Sequence, residues 1–150
     1  DLFPKVLGLD GRKMSKSYNN SILLAEEKDI LAKKMQTMKT DTARVRRNDP
    51  GNPDNCPVFS YYDFFAPDLK ADVNTNCRSA ALGCVDCKKQ LLARVDDKLA
   101  PFREKRAELK EKPKLIAEIL GSGTEKAGKV ARATMARVKD SMGLTAGYHL

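Results

Sequence analysis

Lys88-Lys-Gln-Leu-Leu-Ala-Arg-Val-Asp-Asp-Lys-Leu-Ala-Pro-Phe102 places apolar side chains at Leu92, Val95, Leu99 and Phe102. Intervals of three and four residues put them on one stripe of a helix, with charged residues on the other faces. Pro101 lies inside the stripe. It lacks the N–H that a helix interior needs, so a kink or break is expected there. Downstream, Pro113 is placed to open a second helix whose Leu115, Ile116, Ile119 and Leu120 face inward. Gly121-Ser122-Gly123 is expected to end it, and Ser122 to Glu125 has the spacing of a capping box. The last helix then carries Ala127, Val130, Ala131, Thr134, Met135, Val138 and Met142 on one face and stops near Gly143.

Upstream the same period continues. Residues 26–38 read as a helix with Ile30, Leu31, Met35 and Met38 on its apolar side. Residues 58–65 hold five of the chain's nine aromatic residues. Phe59, Tyr62 and Phe65 recur at helical spacing, as do Tyr61 and Phe64, which suits core packing. Residues 68–83 read as a further short helix capped by Gly83. Residues 1–20 and 39–57 are loop, the latter centred on Asp49-Pro-Gly-Asn-Pro53. No run alternates like a strand, and neither an internal repeat nor a low-complexity segment is present. The predicted fold is all-α, a helical bundle.

Composition narrows the function. No apolar run in the 150 residues approaches the roughly 20 that a membrane span needs, and the start has no signal-peptide core. A cytoplasmic protein with no membrane partner is expected. The first residue is Asp1, not Met, which is the start expected of a piece cut from a longer chain. His149 is the single histidine and sits beside the C-terminus, so no Ser-His-Asp set and no three-histidine zinc site can be built. The net charge is +8. Residues 1–87 hold 13 basic and 12 acidic side chains, whereas residues 88–150 hold 15 and 8. A basic C-terminal half fits either a polyanionic partner or a solvated helix surface. Arg94, Arg103, Arg106, Lys129, Arg132 and Arg137 are the candidates for RNA backbone contact.

Gly8-Leu-Asp-Gly-Arg-Lys13-Met14-Ser15-Lys16-Ser17 is the first stretch that carries chemistry. Two glycines give a mobile loop. Arg12, Lys13 and Lys16 follow within five residues, with two hydroxyls among them. Such a loop suits a phosphate chain: the lysines act as point charges, and hydroxyls and backbone N–H groups donate. The spacing is not that of a P-loop.

Lys13-Met-Ser-Lys-Ser17 resembles the signature loop of class I aminoacyl-tRNA synthetases. The longer run from Gly8 to Asn20 resembles that of the bacterial tryptophanyl type. Further segments fit in order. These are Thr40-Asp41 with Arg44 and Arg47, then Asp49-Pro-Gly-Asn-Pro53 with Cys56, then Gly83-Cys-Val-Asp-Cys-Lys88, and last the run from Ala131 to Leu144. Thr42 stands where the family often has proline.

The resemblance implies ATP- and Mg²⁺-dependent activation of tryptophan, followed by charging of tRNA(Trp). In that chemistry Lys16 binds the leaving pyrophosphate, with Lys13 and Ser15 assisting, and residues 13–17, Met14 and Ser17 included, lie along the ATP phosphates. It further implies a homodimer. Residues 1–22 would end a catalytic domain and residues 23–150 would form the anticodon-binding domain. The nucleotide-binding α/β domain, with its His-x-Gly-His signature, would lie upstream in cis, so this chain alone is expected to be inactive. The alternatives are a stand-alone RNA-binding or iron–sulfur module and a tyrosyl-type synthetase fragment.

Cys56, Cys77, Cys84 and Cys87 form a C-x20-C-x6-C-x2-C set. The Cys-x-x-Cys pair offers two thiolates from one turn. Paired short knuckles, the usual zinc pattern, are missing, whereas three near cysteines and a remote fourth suit a cubic iron–sulfur cluster. Some tryptophanyl-tRNA synthetases hold a [4Fe–4S] cluster on similarly spaced cysteines. Zinc, free thiols and a disulfide formed on purification remain as alternatives.

Overall fold

The computed structural model describes residues 5–144. His149 lies outside them. Five α-helices carry the described chain: α1 Lys28–Thr37, α2 Pro57–Phe65, α3 Lys70–Arg78, α4 Cys84–Lys110 and α5 Pro113–Ser141. Among the described residues the only β pairing is an isolated antiparallel bridge between Leu7 and Lys13. The fold is all-α, and two compact units divide at Arg106–Ala107.

The core of the first unit is built where the apolar periods of α1 to α4 meet. Leu31 and Met35 from α1, Met38 just beyond it, and Val58, Tyr61 and Tyr62 from α2 are buried. Val73 from α3 and Leu91, Val95 and Leu99 from α4 complete the core. Each buried aliphatic side chain of this size contributes about 1.5–3 kcal/mol relative to exposure. The two tyrosines place their hydroxyls on carbonyls, as buried phenols must. Tyr61 Oη donates to Leu7 O at 2.7 Å, and Tyr62 Oη donates to Cys87 O at 2.8 Å. Phe59 and Phe65 flank the core half-buried, as their spacing predicts.

Polar straps join the elements of this unit. The buried Glu26 carboxylate accepts from Leu23 N and Lys34 Nζ, which closes the turn ahead of α1. Arg94 pairs with Asp68 at 2.7 Å, and Lys98 Nζ donates to Phe64 O at 2.7 Å, tying α4 to α2 and the turn after it.

Several expectations are corrected. The α4 stripe keeps the predicted Val95 and Leu99 but has Leu91 in place of Leu92. Leu92 lies on its flank, and Phe102 is exposed. Ile30 is likewise exposed on α1. Pro101 neither ends nor divides α4. Two residues on, Arg103 Nη2 donates to Asp96 O at 3.0 Å and Nη1 to Glu26 O at 3.4 Å, which ties this stretch of α4 to the turn ahead of α1. Helix α3 stops at Arg78 because Ala80 takes a left-handed φ of 60°. Gly83 is not its cap. It precedes α4, and its carbonyl accepts the Cys87 N–H at 2.9 Å.

In the second unit, α5 runs 29 residues straight through Gly121-Ser122-Gly123, so Ser122 and Glu125 are interior positions with no capping role. No residue of α5 is buried; Ile119, Leu120, Val130 and Met135 are all more than half exposed. The inward-facing assignment of its apolar stripe therefore fails. Gly143, with φ of 69°, follows α5 as predicted. None of the described helices is long and apolar enough to cross a membrane.

Candidate phosphate loop and four-cysteine cavity

The loop around Lys13 is a small, heavily bonded turn. Gly8 N donates to Arg12 O at 2.6 Å, Gly11 N to Gly8 O at 3.0 Å, and Met14 N to Val6 O at 2.9 Å. Gly11 adopts φ of 83°, a left-handed value that glycine takes at no steric cost. Leu9 fastens the loop to its surroundings: its N–H donates to Asn20 O and its carbonyl accepts from Lys39 N at 2.7 Å.

The side chains divide into an outer and an inner set. Arg12, Lys13, Lys16 and Ser17 are exposed. Arg12 bonds Asp10 at 2.7 Å and lies 4.4 Å from the centre of the Tyr18 ring. Met14 packs partly buried against the core. Ser15 precedes a single turn at Lys16–Tyr18, and its Oγ accepts from Ser17 N at 3.3 Å. Asn20 is the inner residue, 2 % exposed. Its Oδ1 accepts from Ser15 N at 2.8 Å, and its Nδ2 donates to Asp10 Oδ1 at 2.7 Å and Lys13 O at 3.3 Å. That donated bond from Asn20, reinforced by Arg12 and opposed by partial burial, holds the Asp10 carboxyl down at about 2. Lys13, Ser15 and Lys16, the predicted catalytic set, thus share one turn.

The second site gathers all four cysteines. Cys56 caps the start of α2, Cys77 lies in the last turn of α3, and Cys84 and Cys87 occupy the first turn of α4. They line one small cavity with Thr40, Arg44, Val58 and Leu82. Their thiols are free. Among the described residues no three or more His, Cys, Asp or Glu side chains converge tightly enough to hold a single metal ion. Burial pushes the Cys87 thiol up to about 11 despite the nearby Tyr62 hydroxyl, and burial also raises Cys77 against the pull of Arg44.

The loop at residues 39–57 builds the wall of that cavity. Buried Asp41 accepts from Ala43 N at 3.0 Å and Asn52 N at 2.8 Å. Arg44 Nη1 donates to Leu82 O at 2.9 Å and reaches Cys84 Sγ at 3.9 Å, while Nη2 donates to Arg47 O at 2.6 Å. Arg47 donates to Ala80 O at 2.5 Å and Ala81 O at 2.9 Å. On the outer side a cleft is lined by Arg44, Arg46, Arg47, Cys84 and Asp86. A second, mainly apolar cleft joins Met35, Cys84, Lys88, Lys89 and Leu92. Sequence reasoning assigned no role here to Asn20, Tyr62 or Gly51. Only the position of Asn20 just after the basic run hinted at one of them.

Of the predicted RNA-contact residues, Arg94 is paired with Asp68, Arg103 with Asp96, and Lys129 with Glu125 at 3.0 Å. Arg106, Arg132 and Arg137 are exposed.

Residues 2–100 match the family model described as tRNA synthetases class I (W and Y). The chain belongs to the class I tRNA synthetase family of that type. Within this synthetase family, it is 43 % identical over 143 residues to the tryptophan–tRNA ligase of Aquifex aeolicus, covering 94 % of this chain and 36 % of that one. It is 46 % identical over 145 residues to the tryptophan–tRNA ligase of Thermotoga maritima, covering 94 % and 44 %. A crystal structure of tryptophanyl-tRNA synthetase from Campylobacter jejuni, complexed with ADP and tryptophan, superimposes with a TM-score of 0.77 at 31 % identity. That match covers 93 % of this chain and 43 % of the other. The chain thus spans less than half the length of these synthetase relatives.

Proposed function

We propose that this chain supplies the pyrophosphate-binding loop and the anticodon-binding helices of a tryptophan–tRNA ligase. Residues 1–22 close the catalytic domain and residues 23–150 form the anticodon-binding domain. The α/β domain that holds ATP and tryptophan is contributed in cis by the rest of the polypeptide. The names of the relatives support tryptophan over tyrosine. The observation that carries the reading is the tethered turn that exposes Lys13, Lys16 and Ser17 together.

Activation joins the tryptophan carboxylate to the α-phosphorus of ATP and releases pyrophosphate, on which negative charge builds in the transition state. Lys16 neutralises that charge, Lys13 and Ser15 assist, and Mg²⁺ shares the load. A loop that closes over the phosphates exerts this effect most strongly in the transition state, which is what raises the rate. Loss of one such donor typically costs about 10²–10³ in kcat. The chain by itself makes no tryptophanyl-adenylate. The complete ligase is a cytoplasmic homodimer, as the resembled synthetases are.

Cys56, Cys77, Cys84 and Cys87 hold a [4Fe–4S] cluster. Four soft donors around one cavity support this. The group, when bound, supplies a rigid cross-link between α2, α3 and α4 and no open iron position. The arginines and lysines of the two clefts that share Cys84 then face the anticodon phosphates.

Binding of labelled tRNA(Trp) and tRNA(Tyr) to the 150-residue chain tests the reading. Preference for tRNA(Trp), lost when its anticodon is replaced, is expected. Equal binding of the two tRNAs at low salt, falling together as salt rises, would mark non-specific charge attraction and overturn it.

A further inference from the structure

Beneath the exposed cations of the loop lies one buried side chain that bonds to the backbone between them. Asn20 is buried, and all its bonds point into the loop. Its carboxamide accepts from the Ser15 N–H and donates to the Asp10 carboxylate and the Lys13 carbonyl. Its own carbonyl accepts from Leu9 N at 2.9 Å. One residue therefore fixes the backbone at both ends of the Lys13–Ser15 stretch and the acid that neutralises Arg12.

A second observation is independent of those bonds. Asn20 fits only because residue 8 has no side chain. A Cβ on Gly8 would lie 2.4 Å from Asn20 Cγ and 2.8 Å from its carbonyl oxygen. The sequence thus leaves space for this carboxamide on one side and gives it donors and acceptors on the other. By contrast, the neighbouring Asn19 is exposed and serves only as the left-handed cap of the Lys16–Tyr18 turn.

We infer that Asn20 is the positioning residue of the phosphate loop, holding Lys13, Ser15 and Lys16 in the one arrangement that meets a pyrophosphate group. The inference rests on the phosphate reading given above. Asn20 touches no phosphate. It removes the conformational freedom the loop would otherwise lose on binding, which is how preorganisation raises affinity. Only a carboxamide can do this, since one end must accept from an amide and the other must donate to a carboxylate. Aspartate in its place keeps the acceptor, loses the donor and sets two carboxylates side by side.

Titration of inorganic pyrophosphate into the ¹⁵N-labelled chain, with hydrogen exchange at the Ser15 amide, tests this. Asn20→Ala and Asn20→Asp should each weaken pyrophosphate about tenfold, the scale of one lost hydrogen bond to a charged group. Both should speed Ser15 exchange while the helical circular dichroism stays unchanged. The exchange Asp10→Asn with Asn20→Asp keeps the total charge and reverses the donor. It restores the link between residues 10 and 20 but leaves the Lys13 carbonyl without its donor, so it should recover part of the affinity lost in Asn20→Asp. Lys13→Ala with Lys16→Ala is the control for the phosphate reading. If the original chain binds pyrophosphate no better than that control, the phosphate reading fails and the inference falls with it. If it does bind better, and Asn20→Ala matches the original chain or the double exchange binds no better than Asn20→Asp alone, the inference alone is overturned.

Discussion

Gly51 donates its N–H to the Cys77 carbonyl at 3.0 Å, and a Cβ at position 51 would lie 2.5 Å from the Cys77 sulfur. The loop at residues 39–57 and the end of α3 are in contact at the place where one cysteine faces the shared cavity. Gly51→Ala must therefore push the thiol or the backbone aside. Overpacking of this kind costs about 1–3 kcal/mol. The thermal midpoint should drop by several degrees, and anaerobically reconstituted protein should bind less iron than the original chain. An unchanged midpoint would show that the contact relaxes freely.

Tyr62 reaches the same site from the core. Its hydroxyl donates to Cys87 O at 2.8 Å and lies 3.5 Å from Cys87 Sγ. Tyr62→Phe keeps the ring in the core and removes the donor. A loss of about 1–2 kcal/mol is expected from chemical denaturation, the cost of one buried hydrogen bond.

The titration of Asp10 reports on the loop. Its carboxyl is held at about 2 chiefly by Asn20, below the ordinary value of about 4. Because the folded value is the lower one, the loop is favoured by ionised Asp10 above about pH 4, and that contribution fades as the pH falls through about 2. The Asp10 carboxyl carbon, followed by NMR, should titrate near 2 in the original chain and closer to about 4 in Asn20→Ala. Superimposable titrations would remove Asn20 as the cause.

The open space around Gly121 and Gly123 predicts a gain. Nothing lies within 4 Å of a Cβ built at either position, and neither has a positive φ. Replacing both by alanine should raise the helicity of α5, by about 1 kcal/mol per site. The ellipticity at 222 nm should rise and persist to higher temperature; a fall would show that the glycines serve a bend.

What could be read from the sequence follows from which forces are local. The stripes Leu31–Met35–Met38 and Val95–Leu99 and the aromatic run of α2 were legible because burial of a periodic face is strong and local in sequence. The Cys-x-x-Cys turn and the basic loop were legible as motifs, and their ordered companions identified the family. Glycine and proline misled three times. Pro101 and the pair Gly121 and Gly123 sit on solvent-facing helix, where a missing bond or a floppy residue costs little against the flanking turns. The end of α3 went unseen because Ala80, not a glycine, takes the left-handed turn. The exposure of the α5 stripe was not legible at all: an amphipathic period shows that a face is apolar, not that anything in the chain covers it. Asn20 escaped because its role depends on Gly8, Asp10 and Ser15 closing around it.

The proposed single role for the four cysteines has one direct test. Anaerobic purification, a visible spectrum, and iron, sulfide and zinc analysis should find brown protein with about four irons and four sulfides per chain, lost when any of Cys56, Cys77, Cys84 or Cys87 is replaced by serine. Colourless protein with one zinc, or metal-free protein even after anaerobic reconstitution, would contradict it.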